Sequence, residues 1–224
     1  MNWNGIISLL FACIEFILLI NLIVFAEKNI INKMIMLLVA ILTVYQTFEF
    51  LICNLLFNNS FLAYLAFAAI SFLPPLNLLF NFRYFNYNRK ILRLIFLPAV
   101  FFIIYYPFVI EKFEVVNCTV FYASYNYPLG TLFGFFYYIP IIISLLLLSA
   151  KKMKMQDKER IKQVNVLIYG ELFISLPVIL AFLMSAFHSY KLLNSIESIM
   201  CKFAFVFAIS LVYFALNNKK VLNE

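Results

Sequence analysis

Apolar residues run along this chain in seven blocks, at residues 6–25, 34–57, 61–80, 91–110, 131–150, 164–187 and 196–216. Short polar connections separate them. Each block holds about 20 residues, the number an α-helix needs to cross roughly 30 Å of hydrocarbon. The pattern predicts an all-α membrane protein, a single bundle of seven transmembrane helices spanning residues 1–224. Sequence neighbours should pack antiparallel, because the connections are short. Prolines fall inside the third to sixth blocks, at Pro74, Pro75, Pro98, Pro107, Pro140 and Pro177. Each removes a backbone donor and crowds the preceding turn, so breaks or kinks are expected there. The pair Pro74-Pro75 is the sharpest and a candidate hinge. Gly130 and Gly134 form a Gly-x-x-x-Gly pair that would permit a close helix crossing.

Charge then orients the bundle. Of 17 Lys and Arg residues, 14 lie in or within one turn of the first, third and fifth connections and the tail. Lys112 and Lys191 lie on the other side, and Lys202 is inside the last block. By the positive-inside rule the N-terminus is outside and the C-terminus cytoplasmic. Residues 1–4, 58–60, 111–130 and 188–194 are then external. The net charge of +7 belongs to span ends and anionic lipid rather than to nucleic acid.

At 66% hydrophobic and 12% charged, the chain has too little polar surface to cover a soluble domain. The four cysteines have no metal spacing, and no pattern points to a cofactor. Cys118 lies in the longest external connection. A bridge from it to Cys201 would require that connection to fold over the last span. Residues 115–122 of the same connection are β-branched and aromatic, the composition of a short strand or hairpin. With Tyr105, Tyr106, Tyr122, Tyr125, Tyr127, Tyr137 and Tyr138 they form a tyrosine-rich outer mouth, read either as interface anchoring or as a pocket rim.

Ionisable residues in the apolar blocks are costly and therefore candidates for function. Glu15, Glu49 and Lys202 fall at similar depths, roughly 15, 12 and 9 Å below the outer surface at 1.5 Å per residue. Tyr45, Gln46, Glu49 and Cys53 share a helix face, as do Ser195, Ser198 and Lys202. Two carboxylates and one ammonium leave an acid over, which is either a neutral member of a structural ion pair or a site for a cation or amine. Glu15, Tyr45, Gln46, Glu49 and Lys202 are the candidate ligand-binding residues. Glu171, nearer the inner side, is a candidate proton or polar relay. His188 has no partner for a metal motif, and no nucleophile or phosphate-loop pattern occurs, so catalysis has little support.

The order Tyr45-Gln46-x-x-Glu49, then Leu73-Pro74-Pro75-Leu76-x-Leu78-Leu79-Phe80-x-x-Arg83-Tyr84, then Tyr127-Pro128-Leu129-Gly130, resembles the seven-helix sensor region found ahead of bacterial histidine kinases. The resemblance implies a plasma-membrane bundle with its N-terminus outside. Such a bundle senses a small ligand or a membrane state, with Glu49 as a pocket acid and Pro74 and Pro75 as a kink. No kinase or cyclase sequence follows residue 216, so the expected output is a separate cytoplasmic signalling protein. Microbial rhodopsins share the topology and a lysine in the last span. The third span here lacks their arginine and counter-ion. The remaining alternatives are a small-solute or proton-coupled transporter and a membrane-embedded enzyme.

Overall fold

The computed structural model describes residues 3–54, 59–87, 91–186 and 196–218. The expected external segment 188–194 and Ser195 lie outside the described residues. Among the described residues, seven helical spans are long and apolar enough to cross a membrane. The chain is therefore a multi-pass membrane protein with a helical bundle fold. Its core is largely apolar, but unlike a soluble protein's its surface is apolar too, and several ionisable groups are inside. Glu15, Gln46, Glu49, Asn81, Glu171 and Lys202 are inside. Leu94, Phe108 and Leu146 point outward, Phe108 with 83% of its surface exposed. A band of exposed large side chains this wide is stable only against lipid.

The helices are α1 (Ile6–Phe25), α2 (Ile30–Asn54), α3 (Ser60–Ser71), α4 (Leu73–Tyr84), α5 (Leu97–Tyr105), α6 (Gly130–Lys152), α7 (Lys158–Ala186) and α8 (Ile196–Asn217). Local capping explains where several begin. The Asn29 side chain accepts from Asn32 N at 2.8 Å, which starts α2 about one turn before its apolar block. Asn59 caps α3 by accepting from Leu62 N at 3.0 Å. Asp157 accepts from Glu159 N at 2.9 Å, and α7 starts well ahead of residue 164.

The prolines act mainly as helix starts. Pro74 and Pro75 occupy the first turn of α4, and the third span is two helices meeting at Phe72. Pro98 and Pro107 open α5 and the 3-10 turn Tyr106–Lys112, so the fourth span alternates between α and 3-10 geometry. Pro140 and Pro177 remain inside α6 and α7.

Helix α2 is central. It packs on α1, α3, α4 and α8. Its inward stripe, Ile31, Ile35, Leu38, Leu42, Tyr45, Glu49 and Ile52, advances by three and four residues, so Glu49 must lie inside whatever its charge. Leu37 and Val44 on the other side are exposed.

The close helix crossing is not at Gly130 and Gly134. A Cβ added at either would meet tyrosine rings only, from Tyr127 and Tyr138 respectively. It occurs at Gly170, where α7 meets α8. A Cβ there would lie 2.8 Å from Ser210 Oγ and 2.9 Å from the Phe207 ring. Gly170→Ala should therefore cost about 1–3 kcal/mol by overpacking, despite alanine's better helix propensity. Unfolding in a detergent titration measures it, and an unchanged stability would mean that α7 and α8 can separate freely.

A two-stranded antiparallel hairpin, β1 (Glu114–Cys118) and β2 (Ala123–Asn126), lies across one end of the bundle. Its composition predicts it, and its register pairs Val115 with Tyr125 and Cys118 with Ala123, with a bulge at Val116. Thr119 closes the turn: its Oγ1 accepts from Tyr122 N at 2.9 Å. The turn then caps α1, whose first N–H groups have no partner within the helix. Thr119 O accepts from Gly5 N at 2.9 Å and Val120 O from Ile7 N at 3.4 Å. Gly5 has φ 72°, and a Cβ there would come within 3.0 Å of Cys53 Cβ, so glycine suits both the turn and the contact.

Cys118 is bridged to Cys53 at the end of α2, not to Cys201. The 111–130 connection does fold over the bundle, and it hydrogen-bonds to α8 at Ser198, about one helical turn from Cys201. Beneath the hairpin, Phe67 on α3 is ringed by Tyr106, Phe113, Tyr125, Tyr127 and Phe133 at centroid distances of 4.4–6.5 Å. Tyr106 and Tyr125 are thus packing residues inside the end of the bundle, neither at the interface nor on a rim.

Candidate functional site

Two polar clusters lie inside the bundle. The outer one joins α1, α2 and α8 under the hairpin. Lys202 Nζ donates to Glu49 Oε1 at 2.7 Å, Gln46 Oε1 at 2.6 Å and Ser8 Oγ at 2.8 Å. An ammonium has three hydrogens, and all are used. Ser8 Oγ donates to Glu49 Oε1 at 2.9 Å, and Ser198 Oγ donates to Glu49 Oε2 at 3.0 Å. Gln46 Nε2 donates to the Cys201 carbonyl at 2.9 Å. Ser198 Oγ also accepts from Ala123 N of the hairpin at 3.0 Å. Strand β2 is thereby hydrogen-bonded directly into the ion-pair network.

The expected candidates are placed as follows. Gln46, Glu49 and Lys202 come together, at 0%, 0% and 3% exposure, so the cluster is closed to solvent. Tyr45, one turn from Glu49 on α2, is fully buried and within electrostatic reach of it. Glu15 is buried and feels the charge of Lys202, yet neither carboxylate oxygen has a hydrogen-bond partner among the described residues. It is the acid left over. Ser8 has no sequence signal that would have singled it out. Ser198 shares a face with Lys202, and that spacing is the signal for it.

The inner cluster is built on Glu171 of α7. Asn77 Nδ2 and Asn81 Nδ2, one turn apart on α4, both donate to Glu171 Oε1 at 2.8 Å. Both also approach Ser144 Oγ of α6, at 3.5 and 3.1 Å. All four residues are buried. Two asparagines at i and i+4 in an apolar run were a legible signal for this cluster, because they occupy one helix face.

Between the clusters is a small cavity of about 30 Å3, lined on its polar side by Asn77 and Glu171 and on its walls by Leu38, Leu42, Pro74 and Phe207. The Cys201 that carries the Gln46 contact also borders it. Pro75 lies by a second, smaller cavity of about 20 Å3 with Pro98 and Pro140. The two prolines of the helix break thus face different spaces. Among the described residues no group of three or more His, Cys, Asp or Glu side chains could hold a metal ion.

The chain matches no protein-family model, no curated protein and no solved structure. The class that the fold defines is a multi-pass helical membrane protein, and the reading of its task rests on the two clusters and the hairpin.

Proposed function

We propose that this chain is a membrane sensor module. It lies in a bacterial plasma membrane with its N-terminus outside and its C-terminus in the cytoplasm. It binds a small ligand in its outer half and signals to a separate cytoplasmic partner. The observation that carries the reading is the hydrogen-bond path from Ala123 N through Ser198 Oγ to Glu49 and Lys202. Through it, an event at the external hairpin changes the contacts that hold α1, α2 and α8 together. The resemblance to the sensor regions of bacterial histidine kinases supports the same reading through Tyr45, Gln46, Glu49, Pro74 and Pro75.

The orientation has two independent supports. The hairpin end is poor in Lys and Arg, and it carries the disulfide, which is at home in an oxidising compartment. A cysteine introduced at Lys154, between α6 and α7, should react with impermeant reagent only in inverted or opened vesicles. Labelling from the hairpin side would reverse the assignment.

In this closed state the Glu49–Lys202 network is complete, and Glu15 is the spare acceptor beside it. A ligand carrying a hydrogen-bond donor or positive charge would meet Glu15 once the hairpin lifts. It can shift the equilibrium only by binding the lifted state more tightly than the closed one. Pro74 and Pro75 and the basic 151–162 segment give the change a hinge and an inner surface on which to be read.

Ser198→Ala tests the coupling while keeping both charges of the ion pair, since it removes only the hydroxyl between Ala123 N and Glu49. The variant should alter the labelling rate of the Lys154→Cys probe at least about threefold, a shift of roughly 0.65 kcal/mol in the inner equilibrium. An unchanged rate in a folded variant would remove the coupling and leave a scaffold. The cavity bordered by Glu171 favours a second reading, a small-solute or proton-coupled carrier. Solute counterflow in vesicles would select it over the sensor.

A further inference from the structure

The outer cluster balances its donors and acceptors, but the inner one does not. Asn77 and Asn81 spend their amide hydrogens on Glu171 Oε1 and Ser144 Oγ. That leaves Glu171 Oε2, Asn77 Oδ1 and Asn81 Oδ1 buried with no donor among the described residues. A buried carboxylate oxygen without a partner is costly, and more so in a bundle surrounded by lipid. The groups facing Glu171 from each neighbouring helix supply no positive charge. They are Asn77 and Asn81 on α4, Ser144 and Tyr137 on α6, and Cys201 on α8. Tyrosine and cysteine carry no positive charge in any ionisation state.

Glu171 and Asn77 also border the cavity, so the missing donor has a place. At about 30 Å3 it has room for a small ion and a water, and is too small for an organic ligand. We propose that Glu171 and Asn77 bind a small monovalent cation in this cavity, either Na+ or a proton held on the carboxylate. Na+ takes oxygen ligands, and Glu171 Oε2 and the Asn77 carbonyl are the two such groups left open beside the cavity. A proton turns Oε2 into a hydroxyl and thus into a donor for a neighbouring carbonyl. The site does not depend on the sensor reading and is compatible with a sensor, a carrier or a scaffold.

The test uses the purified full chain in lipid nanodiscs, with Glu15→Gln as the control acid. Thermal unfolding is compared in sodium, potassium and choline chloride at equal ionic strength. Infrared spectra are recorded across pH for the stretch of a protonated carboxyl group. If Na+ is the ligand, saturating sodium raises Tm by roughly 5 °C in the wild type and in Glu15→Gln but not in Glu171→Gln. If the proton is the ligand, sodium has no specific effect, and one protonated-carboxyl band of the wild type is lost in Glu171→Gln but kept in Glu15→Gln. Should Glu171→Gln not fold, Asn77→Ala keeps the carboxylate. It should raise the sodium concentration needed at least about tenfold, or shift the band that survives in Glu15→Gln. Absence of both a sodium-specific shift and a Glu171 band at every pH overturns the proposal. So does a response that persists unchanged in Glu171→Gln or in Asn77→Ala.

Discussion

Glu49→Gln and Lys202→Met should each destabilise the protein by about 3–5 kcal/mol, and the double variant should lose less than the sum of the two. Each single change leaves its former partner buried and in want of a counter-charge. Lys202 would keep Gln46 and Ser8 but lose the one carboxylate among the described residues within ion-pair distance, at 2.7 Å. Glu49 would keep two serine hydroxyls, which donate hydrogen bonds but carry no charge. Removing both charges removes both penalties. Neutral hydrogen bonds between membrane helices average well under 1 kcal/mol, so a loss of several kcal/mol identifies the charged pair as the source. Folding equilibria in mixed micelles supply the four corners of the cycle. Strict additivity would show that the two groups do not interact in the membrane.

Breaking the Cys53–Cys118 bridge should cost about 2 kcal/mol. The bridge closes a loop across 65 residues of sequence. For a free chain, loop-closure entropy puts that near 4 kcal/mol. Here the intervening helices α3, α4 and α5 stay inserted in the bilayer when tertiary packing is lost. The unfolded chain is therefore already restrained, and less entropy is recovered. The Cys53→Ser/Cys118→Ser variant measures the cost against wild type, and impermeant reductant added to wild type should reproduce it. The hairpin should at the same time become more sensitive to protease, because the bridge is one of its fastenings to the bundle. The Ser60 hydroxyl, which donates to Phe113 O at 2.7 Å, and the Gly5–Thr119 bond are others. Equal stability and equal protease resistance in the variant would mean that these hydrogen bonds hold the hairpin without the bridge.

The two effects act at one place. The disulfide holds the hairpin over α2, the Ala123–Ser198 bond joins it to α8, and the Gly5 and Ile7 contacts join it to α1. These are the same three helices that the Lys202 network gathers. In the sensor reading, loosening the cap and loosening the ion pair are two ways into one conformational change. The Ser198→Ala variant is the mildest of them.

The number and placing of the spans were determined by the sequence alone, since a block of about twenty apolar residues has few stable structures outside a membrane helix. The inward face of α2 was equally legible, because residues three and four apart share a side whatever surrounds them. So was the hairpin, from its β-branched and aromatic composition, and the depth match that brought Glu49 and Lys202 together. Helix starts at Asn29, Asn59 and Asp157 were written in the sequence too, but in polar caps rather than in hydropathy.

What the tertiary structure decided is which faces meet. Periodicity places Glu171 on one side of α7 but does not say that Asn77, Asn81 and Ser144 from two other helices lie opposite it. Cys118 could have reached Cys53 or Cys201 by distance along the chain; the path of the hairpin over α1 chose Cys53. Of the tyrosines read as interface or rim, Tyr106, Tyr125 and Tyr127 became packing around Phe67 because the hairpin closes over them. Sequence carries the one-dimensional quantities of length, depth and helix face. The rotation of one helix against another is set by side-chain fit across the bundle, as where Gly170 admits α8, and no single stretch of the chain encodes it.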